Sequence, residues 1–309
     1  MNRSEMPWTL DFYRGLVQGW NGYWFTPRSS MVNGWVRIAV GLVMVLQFVQ
    51  HLAWVPTWLT SDGWLDQSTG LYLIGDGMEG TGSDYRWSLL YRWGISTVAW
   101  AVCLAGLLAS VGMVVGIGGR WVVLLVWVCV MMIHQRAPWL TLPAESLQSA
   151  ALLYLSLAPG PAFQFVAKGR EAVPEGGRED RSGLANLALR CMQVHWILWL
   201  VLSTASMLQQ DAWWTGQAVA VLSEQGAGLL GAVPRGSEWG QIFSLGILGS
   251  QVLTALFLVN PGTWRFAFLS TILLGSLLVL VAGQWVLAAM GFVFLVAFLG
   301  NASPSDGGT

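Results

Sequence analysis

Charge is scarce in this sequence. Only 10% of its 309 residues are Asp, Glu, Lys or Arg, while 55% are hydrophobic. A soluble domain carries about 25% charged residues, so this chain has too few to clothe a surface in water. Lipid as the surrounding solvent removes that difficulty. The net charge of −1 leaves no basic field for nucleic acid. Lys168 is the sole lysine. Cys103, Cys129 and Cys191 form neither a CxxC pair nor a metal-ligand spacing. Each sits in an apolar stretch and reads as a small buried hydrophobe. Residues 1–30 contain Arg3, Glu5, Asp11 and Arg14 without an early apolar core, which excludes a cleavable signal peptide. No hydrophilic stretch is long enough for a separate globular domain.

Nucleotide and hydrolase motifs are also missing: there is no GxGxxG, P-loop, HExxH or GxSxG. Gly116-Ile117-Gly118-Gly119 reads as a tight turn between apolar stretches. No apolar stretch carries a row of arginines or an internal carboxylate, which argues against a voltage sensor, a proton pump or a cation-coupled transporter.

What is abundant is apolar sequence in lengths near the ~20 residues a spanning helix needs, together with 20 tryptophans, whose indoles favour the membrane–water boundary. Spans are expected over 33–54, 94–116, 120–134, 146–162, 186–207, 240–259, 264–282 and 285–300. The last two are separated at Gly283-Gln284-Trp285, because one helix over 264–300 would be too long. With the N-terminus inside, the inner side receives Arg3, Arg14, Arg28, Arg37, Arg120, Lys168, Arg170, Arg178, Arg181, Arg190 and Arg265, and the outer side Arg86, Arg92, Arg136 and Arg235. Most of the 15 basic residues thus lie inside, as the positive-inside rule requires. The expectation is an all-α integral membrane protein of about eight transmembrane helices, both termini inside, with outer interfacial loops, in the bacterial inner membrane. Residues 1–30 form a cytoplasmic amphipathic segment, in which Trp8, Leu10, Phe12, Leu16 and Trp20 suit a short helix lying on the membrane surface; the alternative is an irregular tail. Residues 31–300 form the membrane domain and 301–309 a disordered tail.

Several short segments share a pattern with a known family. Phe25-Thr26-Pro27 followed by Arg37-Ile38-Ala39-Val40-Gly41-Leu42 resembles the opening of the HTTM family, the membrane domain shared by vitamin K-dependent gamma-carboxylases and many bacterial proteins. Ser61-Asp62-Gly63 is similar to its SDxG-like outer loop. His134-Gln135-Arg136-Ala137-Pro138 with Glu145 is similar to its NRNP…GGD segment, Gln193-Val194-His195 to its QxH, and Trp213-Trp214-Thr215-Gly216 to its WxxG turn. The five segments occur in the family's order over about residues 25–300. The resemblance implies fold and topology more strongly than activity. In the carboxylases a lysine-bearing stretch before the WxxG turn supplies the base. Here that stretch reads Ser206-Met207-Leu208-Gln209-Gln210, and neither methionine nor leucine accepts a proton. The carboxylases also carry a large soluble domain that holds the peptide, whereas this chain ends about nine residues after its last expected span.

His195 is the foremost candidate site residue. Nine residues into the fifth expected span, it lies roughly 13 Å along the helix, where an ionisable group is costly and faces protein or a wet cavity. Trp199, Leu202 and Ser206 follow on its face. One reading makes it a proton relay or headgroup contact, the other a neutral histidine bonded between helices; either way the partner is expected from the outer half of the first, third or fourth span, or is a bound water. Gln193 stands beside it. Gln47 and His51 share a helical face; His134, Arg136 and Glu145 flank the third and fourth spans, where Arg136 pairs with Glu145 or binds an anion. Asp62 reads as a turn residue, with a catalytic or ligand-binding role as the alternative. Trp213, Trp214 and Gly216 mark an interfacial anchor or the mouth of a hydrophobic site. No metal site is expected. The function expected first is a noncatalytic component that binds a lipophilic molecule or another membrane protein. The alternative is an enzyme acting on a quinone-like lipophile with His195 in acid–base work. Beyond a quinone or other lipid, the sequence specifies no cofactor.

Overall fold

Uninterrupted apolar runs become helices because in a low-dielectric setting every backbone donor and acceptor must be met within its own segment. The computed structural model describes residues 7–60, 63–64, 88–92, 96–136, 143–158, 181–225 and 231–299. Its helices are α1 (Pro7–Phe25), α2 (Met31–Trp54), α3 (Leu89–Arg92), α4 (Ser96–Val115), α5 (Gly119–Arg136), α6 (Pro143–Leu157), α7 (Gly183–Leu208), α8 (Asp211–Trp214), α9 (Gln217–Gln225), α10 (Glu238–Val259), α11 (Trp264–Leu280) and α12 (Trp285–Val296). Among the described residues the one strand pairing is a two-residue antiparallel bridge of Arg28 and Ser29 with Ser182 and Arg181. The fold is all-helical.

Four helical segments among the described residues are long and apolar enough to cross a bilayer: Met31–Leu59, Ser96–Val115, Gly183–Leu208 and Glu238–Val259. They mark the chain as a membrane protein. Their surfaces agree. On α2, Val36, Val40, Met44 and Phe48 are buried at helical spacing, yet Leu42, Leu46 and Val49 on the opposite side are more than half exposed. A helix in water would carry polar residues there.

Boundaries follow local chemistry. Ser182 accepts from the Leu184 N–H and starts α7 three residues before the expected span. Ser237 caps α10 in the same way at Gly240. α6 begins at Pro143, whose missing N–H is harmless in the first turn, and it ends at Leu157, short of the expected 162. α2 continues through a π-helical turn, Val55–Leu59, where Pro56 cannot donate to the α-helical ladder. The break expected at Gly283 is present, with Gly283 at φ 64°. The last two helices are nevertheless short. α12 has 12 residues, a rise of about 18 Å against a hydrocarbon core of about 30 Å.

Packing places α12 at the centre, against α11, α2, α6 and α7, with Met290 and Phe294 fully buried. α4 lies between α2 and α5, α5 packs on α6, and α10 joins α7 to α11. Polar side chains stitch the apolar helices together. Thr204 donates to the Gln251 side-chain oxygen at 2.9 Å, joining α7 to α10, and Thr254 donates to the Ser270 hydroxyl at 2.9 Å, joining α10 to α11. One end of the bundle is fixed by Arg37, which donates to Met113 O and Ile117 O. The opposite end carries His51, His134 and Glu145.

Candidate functional site

His195 lies halfway along α7. Its Nδ1 is 3.1 Å from the Tyr154 hydroxyl of α6, and Phe294 of α12 stacks on its ring at 6.3 Å. The partner, Tyr154, is the middle residue of the fourth expected span, at the boundary of the half expected to face outward. Trp196 sits beneath, stacked on Phe294 at 5.5 Å and on Trp199 at 5.3 Å. Three helices thus meet through one aromatic cluster, and His195 is half-buried within it. Of the residues that follow on the His195 face, Leu202 is 65% exposed and Ser206 is exposed. The inward stripe of α7 is instead Leu189, Met192, Trp196, Leu200 and Thr204.

Gln193 is fully engaged. Its side-chain N–H donates to Ala297 O at 2.7 Å and its oxygen accepts from Arg190 at 2.8 Å, so it braces the end of α12. The Trp213 and Trp214 indoles diverge, since adjacent helical residues point about 100° apart. Trp213 is buried, while Trp214 is 51% exposed and donates to Leu208 O at 3.0 Å. They do not line one mouth together. Gly216, at φ 75°, lets the α8–α9 turn approach α10; a Cβ there would overlap the Gly240 backbone. Asp62 lies outside the described residues, as does Lys168. Gly63 and Trp64 are described, with the Trp64 N–H donating to Thr57 O at 2.8 Å.

The remaining candidates gather at the opposite end of the bundle from Arg37. His134 Nε2 stands 3.7 Å from the Glu145 carboxylate, the two side chains only 9% and 14% exposed. The His51 ring is close enough to His134 for the two to interact electrostatically; it meets Phe48 edge-on at 6.1 Å. Arg136 is completely buried, and Gln47 is 6% exposed.

Sequence reading missed Gln148. It is 0% exposed, three residues after Glu145 and hence on the same face of α6. Neither atom of its amide has a hydrogen-bond partner among the described residues, and the same holds for Gln47 Oε1 and His134 Nε2. A buried polar atom left unmatched costs about 1–3 kcal/mol, so the Gln148 amide and Gln47 Oε1, on two helices that pack together, are unused hydrogen-bonding capacity. The signal in the sequence was a glutamine inside an expected span. Among the described residues no group of three His, Cys, Asp or Glu side chains is placed to hold a metal ion. All three cysteines are free.

No family model, curated protein or solved structure matches the chain. The HTTM resemblance therefore rests on its short motifs alone.

Proposed function

We propose that this chain is a multi-pass protein of the bacterial inner membrane, of the HTTM type, that binds the polar head of a lipophilic molecule without transforming it. Eight apolar helices cross or enter the bilayer, both termini inside. The short α12 is sheltered by four neighbouring helices and so need not match the bilayer thickness itself. The observation that carries the binding role is the buried amide of Gln148, without a hydrogen-bond partner among the described residues, on a helix that packs against those of Gln47 and His134. Its donors and acceptors call for a neutral head bearing both, such as a hydroxyl, an amide or a quinone–quinol pair. The lysine-free stretch Ser206–Gln210 supports a role other than glutamate carboxylation.

The test is purification in mild detergent followed by mass spectrometry of bound lipids. Wild-type protein retains one lipophilic species, and Gln148→Leu loses it at unchanged yield. Equal lipid profiles in the two proteins overturn the reading. A second reading, an enzyme acting on a quinone-like substrate, draws on the Tyr154–His195 hydrogen bond, a donor–acceptor pair suited to moving a proton. Under that reading His195→Ala abolishes turnover of the bound species while leaving its binding intact.

A further inference from the structure

α1 is exposed on every side along residues 12–23. Phe12, Leu16, Trp20 and Tyr23 are 66%, 54%, 63% and 41% exposed, and they fall at i, i+4, i+8 and i+11, one stripe of the helix. Arg14, Gln18 and Asn21 occupy the opposite side. Between the aromatic residues the backbone of Gly15 and Gly19 is bare, with nothing within 4 Å of where a Cβ would be, and an apolar groove of about 620 Å³ runs over them. A 19-residue helix with interior glycines at 15, 19 and 22 is a poor helix in water, because glycine is the worst helix former after proline and short helices are marginal alone. Its order requires a covering surface.

Its attachment identifies that surface. The C-terminal turn of α1 is fixed to α7: Asn186 donates to Tyr23 O at 2.8 Å and Trp24 O at 3.0 Å, and the Arg190 guanidinium lies 4.3 Å from the centre of the Tyr23 ring. The Arg28–Ser182 bridge closes the same corner. This is the Arg37 end of the bundle, where Trp35 and Trp121 are 50% and 68% exposed and Arg120 lies 5.1 Å from the Trp121 ring centre. Exposed tryptophan beside arginine at the end of apolar helices marks headgroup depth. α1 leaves the bundle at that level.

We propose that α1 lies in the surface of the bilayer at the Arg37 end, its Phe12–Leu16–Trp20–Tyr23 stripe sunk at the headgroup–acyl boundary and lipid chains filling the groove over Gly15 and Gly19. Arg14, Gln18 and Asn21 face water. The occupant is lipid rather than a second copy or another protein, because α1 is tied to the bundle at the end where exposed Trp35 and Trp121, with Arg120 beside Trp121, mark headgroup depth.

The test uses the full chain in nanodiscs of phosphatidylethanolamine and phosphatidylglycerol. With Cys103, Cys129 and Cys191 replaced by alanine, a single nitroxide is placed through Leu16→Cys or Gln18→Cys. The label at 16 is relaxed preferentially by oxygen, which partitions into lipid, and the label at 18 by a water-soluble nickel chelate. Equal nickel accessibility at both positions, or protection of position 16 from both reagents, overturns the proposal, the second result indicating a protein cover. In the native cysteine background, trypsin gives an independent reading at Arg14. Wild-type protein in nanodiscs resists cleavage there, and Leu16→Asp/Trp20→Asp is cut at least tenfold faster; equal rates again overturn the proposal.

Discussion

At Gly216 the demand on a single residue is unambiguous. Its φ of 75° costs an L-residue about 1–2 kcal/mol, and a Cβ would also collide with the Gly240 backbone, which cannot rotate away as a side chain can. Gly216→Ala is therefore expected to destabilise the protein by more than about 2 kcal/mol, read as a lowered midpoint of thermal unfolding in detergent. An unchanged midpoint would show that the α8–α9 turn can move off α10. Gln148 behaves in the opposite sense. Removing an unmatched buried amide relieves a penalty of about 1–3 kcal/mol per polar atom, so Gln148→Leu is expected to raise the unfolding midpoint of ligand-free protein while abolishing retention of lipid. A variant both less stable and lipid-free would instead identify the glutamine as a structural strut. His195 separates from both. Its ring is hydrogen-bonded and stacked, so His195→Ala should lower the midpoint through the lost packing and leave lipid retention at the Gln148 end unchanged.

Helix-scale structure was the most legible part of the sequence. The positions of the apolar helices, and the break at Gly283, were visible because helix length and glycine chemistry are local. Which face of each helix turns inward was not. In water the polar face of an amphipathic helix points outward and declares the core, but here both Val40 and Leu42 are apolar, and only the first is buried. The same degeneracy hid the inward stripe of α7. What specifies helix pairing is the sparse polar set. Gln251 receives Thr204 of α7, and such bonds contribute about 0.6 kcal/mol on average and up to about 1.7 kcal/mol. Gln251→Leu should thus lower stability by about 1 kcal/mol, and Thr204→Val in the same background should add little. Additive losses in this double-mutant cycle would rule out direct coupling. The exposed α9–α10 connection follows charge instead. Arg235 hydrogen-bonds the Glu224 carboxylate at 2.6 Å and holds it below the usual carboxylate range. A depressed folded-state pKa makes the tie present at neutral pH and lost as pH falls through that depressed value. The pair is exposed and so worth little to global stability. The expected result is local: faster amide exchange around Val233 in Arg235→Gln than in wild type at pH 7, with the difference vanishing in acid.

At the scale of the whole molecule, the two ends of the bundle are chemically unlike, and that asymmetry determines orientation. The Arg37 end gathers Arg28, Arg37, Arg120 and Arg190, joined to α1 through Asn186 and the Tyr23 ring. The other end gathers His51, His134, Glu145 and Gln148, with Arg136 buried. Flanking arginines are retained on the cytoplasmic side during insertion, so the Arg37 end should face the cytoplasm and the His134–Gln148 cluster should open toward the outer leaflet. Ligand would then enter from outside. Cysteine labelling in intact cells tests this with a membrane-impermeant maleimide, after the native cysteines are replaced by alanine. Ala232→Cys lies in the exposed segment before α10 and is expected to react. Gly176→Cys and Thr309→Cys are expected to react only after the cells are opened. Reaction at either of these two positions in intact cells, or failure at 232, would invert or break the topology. An inverted topology would also place the His134–Gln148 end at the cytoplasmic leaflet, where any lipid bound there should be displaced by competitors supplied inside rather than outside sealed vesicles.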